Sequence, residues 1–343
     1  METGAFLTIQ QPTPAAATPI ERLARDLAPQ MARVDDLIRE RMASENAPRI
    51  PEVTAHLIGA GGKRVRPLIT VACAEMCGHR LAEGGGDHVK LAATVEFIHT
   101  ATLLHDDVVD ASEERRGRPT ANLLWDNPSS VLVGDYLFAR SFQLMVETGS
   151  LRVLHILSGA AATIAEGEVL QLSSVRKVDT DEATHLKVVR GKTAALFEAA
   201  AEVGGVVSDA PEDHVAALAE YGDALGISFQ MVDDWLDYGG AGDGIGKRLG
   251  DDFREGKMTL PAIRAYAQAD GGEAAFWRDA IERGRGTFEE AQAIVARRGT
   301  LEATRLEALG WRDRALGALD RLPPHPLRDL LAELAEFVVV RAN

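Results

Sequence analysis

The chain has 343 residues, 46% hydrophobic and 26% charged, the balance of a globular protein with ample apolar material for a core, which excludes disorder and collagen-like repeats. Its 52 Asp and Glu against 37 Lys and Arg leave a net charge of -15, which excludes a protein whose main task is to coat nucleic acid or an anionic membrane. A small anionic ligand stays open, because net charge averages over any local basic cluster or metal-binding acidic patch.

Residues 1–20, METGAFLTIQQPTPAAATPI, lack the basic start of a secretory signal and read as a flexible tail on a cytoplasmic protein. Beyond them, segments of 3.6-residue period alternate with Gly and Pro, and Ala and Leu dominate. The predicted helices cover 20–43, 66–77, 87–110, 128–148, 150–173, 182–203, 212–238, 259–269, 286–298, 300–320 and 325–341. The fold class is therefore all-α. LAATVEFIHTATLL, SGAAATIAEGEVLQL and VAALAEYGDALGISFQMV are small or apolar on nearly every face and belong at the centre. No Pro/Gly/Ser-rich linker divides the chain, so 21–343 reads as one domain after the tail. No uncharged apolar run has the length of a membrane span.

Taken in chain order, the first chemical signal is GAGGKRVRP, which gathers Lys63, Arg64 and Arg66 after a glycine run and before a helix that Pro67 can start. This is a reasonable anion cradle, although basic surface loops are common. In the next helix Cys73 and Cys77 lie one turn apart; with only His79 beside them they read as reduced core thiols instead of a zinc site. The helix over 87–110 then ends in LLHDDVVD, with Asp106, Asp107 and Asp110 in a D-D-x-x-D pattern. At 100° per residue the three carboxylates project from one patch. Grouping like charges at the negative end of a helix dipole is unfavourable, which argues for a purpose. His99 lies two turns earlier on the same face, and Arg115 and Arg116 follow closely, suited to bidentate phosphate contacts.

RGKTA supplies Lys192 and Thr193. It is not a nucleotide-binding P-loop, because Leu186 stands where that motif needs Gly and no strand precedes it. A second D-D-x-x-D, Asp233, Asp234 and Asp237 in FQMVDDWLD, ends another apolar helix just after Gln230. Lys247 and Lys257 follow in GIGKRLGDDFREGKMTLP. One such triplet is as well explained by a solvated acidic helix end as by a metal site. Two, each closing an apolar helix, favour Mg²⁺ with a phosphate compound, since hard cations take oxygen ligands and the His and Cys that zinc prefers are absent.

In order, GGKRVRP, DDVVD with a following RR, GKT, QMVDDWLD and GKRLGDDFREGK resemble the trans-type isoprenyl diphosphate synthases over nearly the whole chain after the first twenty residues. The resemblance implies the isoprenoid synthase fold, antiparallel helices around a deep central cavity, usually as a homodimer. It implies a Mg²⁺-dependent prenyltransferase that condenses isopentenyl diphosphate onto an allylic diphosphate (farnesyl or geranylgeranyl diphosphate), with about three Mg²⁺ ions per site. On that resemblance Asp106, Asp110 and Asp233 are the principal metal ligands, with Asp107, Asp234 and Asp237 supporting them. Lys63, Arg66, His99 and Arg116 hold isopentenyl diphosphate; Arg115, Lys192, Thr193, Gln230, Lys247 and Lys257 surround the allylic diphosphate.

Ala101 and Thr102, small residues just below Asp106, resemble the long-chain members that make quinone side chains, with Phe138, Phe142 and Met145 as candidates for the cavity floor. Ordinary packing explains these positions equally well. The implied product is all-trans with about eight to ten isoprene units, C40–C50, in a deep apolar cavity. The alternatives are a shorter-chain farnesyl or geranylgeranyl synthase, a class I terpene cyclase, which usually carries a different second metal motif, and a non-catalytic partner subunit, which tends to have lost one aspartate motif.

Overall fold

A computed structural model describes residues 17–59, 62–79, 86–115, 117–239 and 249–340. Helices α1 (Pro19–Asp26), α2 (Ala28–Met42), α3 (Arg49–Gly59), α4 (Val65–Met76) and α5 (Asp87–Val109) lead to a two-residue hairpin, β1 (Glu114–Arg115) and β2 (Arg118–Pro119). Then come α6 (Ala121–Leu124), α7 (Asn127–Glu147), α8 (Leu151–Ser174), α9 (Glu182–Val189), a π-helical turn over Arg190–Ala194, α10 (Ala195–Val207) and α11 (Glu212–Gly239). The chain finishes with α12 (Asp251–Glu255), α13 (Leu260–Ala267), α14 (Gly271–Arg283), α15 (Phe288–Arg298), α16 (Thr300–Leu319) and α17 (Pro326–Val340).

The all-α expectation holds, with differences that have local causes. The predicted helix over 20–43 is two helices, because Leu27 leaves helical geometry (ψ 14°) and Pro29 sits in the first turn of α2. Helix α14 was hidden behind Gly271 and Gly272, but the Asp270 carboxylate accepts from the N–H groups of Gly272 and Glu273 and so starts it. The predicted helix over 182–203 is interrupted by the π-turn at RGKTA. Helix α3 lies outside the predicted helices, with Pro51 in its first turn.

Helices α5, α10 and α11 are the centre. Along α5 nearly every position from Val89 to Ala101 is buried, as its all-round apolar character requires. Helix α5 packs on α7, α10 on α4 and α11, and α11 on α16. The α10–α11 approach depends on Gly222, where a Cβ would come within 2.4 Å of the Phe197 carbonyl oxygen. One large apolar cluster joins α1, α2, α4, α5, α7, α10, α11, α16 and α17. A second lies among α11 to α15 around Tyr238, Phe253 and Trp277, and a third between α5, α7, α8 and α10. Cys73 is buried, and burial pushes the half-buried Cys77 thiol up to about 11, so both remain protonated core thiols.

Helix α8 is the single helix among the described residues long and apolar enough to cross a membrane by length and composition. One face of it, Val153, Leu157, Ala160 and Ile164, packs into the third cluster, while Leu151, Val169 and Leu172 are exposed.

Candidate active site

The first aspartate triplet divides by direction. Asp107 is fully buried, and its Oδ1 accepts from both Nε and Nη2 of Arg115 at 2.8 Å. The hairpin thus folds back onto the helix that precedes it. Asp106 is half-buried, and burial, reinforced by the charges of Glu168 and Asp110, pushes its carboxyl up to about 7 against the lowering influence of Lys192 and Arg115. Asp110 caps the helix, with Lys257 Nζ 3.9 Å from its Oδ1.

In the second triplet both the middle and the last carboxylate meet protein groups. Asp234 is 1% exposed, with His185 Nε2 at 2.9 Å from Oδ2 and Gln230 Nε2 donating to Oδ1 at 3.1 Å. Asp237 Oδ1 accepts from the backbone N–H of Gly250 and Asp251, fixing the start of α12. Three of the six aspartates expected to line up on metal, Asp107, Asp234 and Asp237, are therefore engaged by protein partners. For Asp107 and Asp234 the reason is packing around each helix, because the middle residue of a D-D-x-x-D is rotated by 100° from the first, which here carries it into the core, whereas Asp237 is held by the backbone that starts α12. Among the described residues no three Asp, Glu, His or Cys side chains converge closely enough to hold a metal by themselves. Asp106, Asp110 and Asp233 offer oxygen donors only. Burial and like charge make ionised Asp106 unfavourable, and a hard divalent cation relieves that. Mg²⁺ completed by waters and substrate oxygens fits this donor set.

The RGKTA turn joins the two motifs. Lys192 Nζ lies 2.9 Å from Glu168 Oε1 and acts on Asp106, whereas the adjacent Thr193 Oγ1 donates to Gln230 Oε1 at 2.9 Å, one turn before Asp233. A π-turn shifts helical register at this point, a feature frequent at functional sites. Gly191 makes the placement possible, since its own Cβ would stand 2.7 Å from the Gly167 Cα on α8. Backbone meets backbone there, so Gly191→Ala is expected to cost about 1–3 kcal/mol and lower the melting temperature by a few °C. An unchanged melting curve with full activity would show that the contact is not needed.

The GGKRVRP segment arranges its cations differently from expectation. Lys63 is exposed, its Nζ 6.0 Å from the Phe337 ring on α17. The Arg66 guanidinium lies over the Phe197 ring at 4.2 Å, and burial lowers it to about 10. Arg64 lines a small pocket together with His56, Glu96, His99, Thr100 and Arg115. Arg115, expected around the allylic diphosphate, lines this pocket too. Arg116 and Lys247 lie outside the described residues, as do residues 1–16 of the expected tail.

Ala101 is fully buried in the main cluster, and Thr102 donates its hydroxyl back to the His99 carbonyl at 2.8 Å. Phe138 is half-buried and stacks on His105, and Met145 belongs to the third cluster. Phe142 does not form a cavity floor: it is 42% exposed and lines an outer groove with Arg41, Arg140 and Val146. Glu168 and His185 were not singled out in the sequence. An acid right after the close-packed Gly167, and a histidine two turns before Lys192, carry no signal until the helices are assembled.

The family model described as polyprenyl synthetase matches residues 47–297. Octaprenyl diphosphate synthase of Escherichia coli (strain K12) is 43% identical over 324 residues, covering 94% of this chain and 99% of that one. A solved decaprenyl diphosphate synthase from Rhodobacter capsulatus is 63% identical with a TM-score of 0.91, over 95% of this chain and 100% of that one. A polyprenyl synthase from Caulobacter crescentus CB15, complexed with calcium and isoprenyl diphosphate, is 48% identical with a TM-score of 0.87 over 95% and 99% of the two chains.

Proposed function

The chain belongs to the polyprenyl synthetase family, and from that premise we propose that it is a long-chain all-trans polyprenyl diphosphate synthase adding isopentenyl diphosphate to a farnesyl or geranylgeranyl diphosphate primer. The product, about C40–C50 in a deep apolar cavity, suits a quinone side chain. The observation that carries the reading is the RGKTA turn, which sets Lys192 beside the first aspartate motif and Thr193 against the residue that leads into the second.

The chemistry follows from charge. Breaking the allylic C–O bond leaves its electron pair on diphosphate, a poor leaving group unless the developing charge is met by preorganised cations. Asp106, Asp110 and Asp233 would hold Mg²⁺, which when bound neutralises that charge. Lys192 and Lys257 add fixed positive charge beside the same carboxylates. The double bond of isopentenyl diphosphate then attacks the allylic carbon, a C–C bond forms, and loss of a proton restores the alkene. No side-chain nucleophile is required. The buried apolar faces of α5, α10 and α11 keep water from the cationic carbon.

A homodimer accounts for the apolar surface left uncovered on two adjacent helices: Leu132, Phe142 and Val146 on α7, and Leu151, Val169 and Leu172 on α8. Purified protein with Mg²⁺, farnesyl diphosphate and labelled isopentenyl diphosphate should yield an apolar labelled product, and excess EDTA should abolish it. Incorporation that persists in EDTA would remove the metal from the mechanism, and no incorporation under either condition would remove the function.

A further inference from the structure

Two residues of one helical stretch hold the second aspartate motif, and the sequence motifs give a role to only one of them. His185 Nε2 on α9 lies 2.9 Å from Asp234 Oδ2, and Gln230 Nε2 donates to Asp234 Oδ1 at 3.1 Å. Thr193 Oγ1 in the π-turn donates in turn to Gln230 Oε1 at 2.9 Å. The contacts therefore leave α9 at His185, run one turn along α11 and return to the same stretch at Thr193. His185, Asp234 and Thr193 are all buried.

The π-turn is what lets both ends meet α11. In an unbroken α-helix, residues eight apart point about 80° away from each other. Across Arg190–Ala194 the Ala195 N–H donates to the Arg190 carbonyl, a ring that takes in one extra residue and brings His185 and Thr193 to within about 20° of one face. Lys192, the residue before Thr193, faces Glu168 on α8 instead. The distance between Lys192 and Asp233 is thus set by how α9 and the π-turn are held on α11. The π-turn packs on α11 directly, whereas α9 packs on α8, α13 and the π-turn, and His185 ties it to the second motif.

We propose that His185 is a positioning residue for the metal and allylic diphosphate end of the site. By holding the buried Asp234 it fixes α11 against the π-turn, and so fixes Asp233 at its working distance from Lys192. Asp234 need not touch metal to matter. A buried carboxylate is costly to leave without a partner, which gives the contact its grip. The inference rests on the function proposed above.

The test uses the full chain and two variants that differ in reach. The amide nitrogen of Gln falls about where Nε2 of His lies, whereas that of Asn falls about where Nδ1 lies and stops short of Asp234. Calorimetry with Mg²⁺ and a non-reactive thio analogue of farnesyl diphosphate is expected to show about 10- to 100-fold weaker Mg²⁺-dependent binding in His185→Asn. Its KM for isopentenyl diphosphate should stay within about twofold of wild type. His185→Gln should recover most of the binding. Asp234→Asn combined with His185→Asn should bind no worse than Asp234→Asn alone, because the histidine acts through the acid. A histidine needed for stability alone would lower the melting temperature in metal-free buffer and leave Mg²⁺-dependent binding unchanged. That result, failure of His185→Asn to fold, equal losses in the Asn and Gln variants, or fully multiplicative effects would overturn the proposal. Wild-type protein that incorporates no isopentenyl diphosphate would instead overturn the functional reading itself.

Discussion

Asp106→Asn lowers the condensation rate by at least about 100- to 1,000-fold, the scale of losing one preorganised electrostatic contact to a developing charge, without lowering the melting temperature. The second half of this expectation comes from burial. In the metal-free protein the Asp106 carboxyl is pushed up to about 7, so its ionisation opposes folding, and a neutral amide removes that opposition. Its neighbour behaves oppositely. Asp107→Asn weakens the fully buried acceptor of the Arg115 pair and costs about 1–3 kcal/mol. Two adjacent aspartates thus separate into one needed for rate and one needed for stability, read by activity and thermal melting. Equal rate losses at unchanged stability would contradict the division.

The raised Asp106 carboxyl also sets a pH dependence. A carboxyl whose folded pKa lies above its unfolded value contributes stability below the ordinary carboxylate range, and that contribution is lost as pH rises towards about 7. Metal binding must displace the proton, so Mg²⁺ affinity should rise with pH through this window, and Mg²⁺ should raise the melting temperature more at pH 8 than at pH 5. A pH-independent metal effect would mean that Asp106 is not a ligand.

Ala101→Phe is expected to shorten the product from about eight to ten isoprene units to about four or fewer, by placing a bulky ring just below the first motif. Ala101 is fully buried on α5, five residues before Asp106, within the main apolar cluster. A benzyl group there overpacks the core at a cost of about 1–3 kcal/mol, which the helices absorb in part by moving apart. Thr102→Phe provides the second arm. Its half-buried side chain bonds only to the His99 carbonyl, so the substitution disturbs less packing. Folded, active variants with unchanged product length at both positions would sink the argument that depth below Asp106 measures the product.

The sequence made the helices, both aspartate motifs and RGKTA legible because each depends on spacing along one chain. The direction of each aspartate was not legible. Asp107 turns inward because Arg115 on the hairpin meets it, and Asp234 because His185 on α9 does; both partners are tertiary neighbours whose helices have to be packed first. The left-handed backbone of Arg64, which lines a small pocket with His99, is likewise something no composition announces. Phe142 shares a helical face with Phe138 in projection, yet α7 turns it to the outside while Phe138 stacks on His105.

The central claim is tested most directly by the size of the wild-type product. Protein is incubated with Mg²⁺, farnesyl diphosphate and labelled isopentenyl diphosphate, and the dephosphorylated products are separated by chain length. The account predicts all-trans alcohols of about eight to ten isoprene units, set by the depth of an apolar cavity. Products that stop at about three or four units, or a cyclised hydrocarbon, would contradict it.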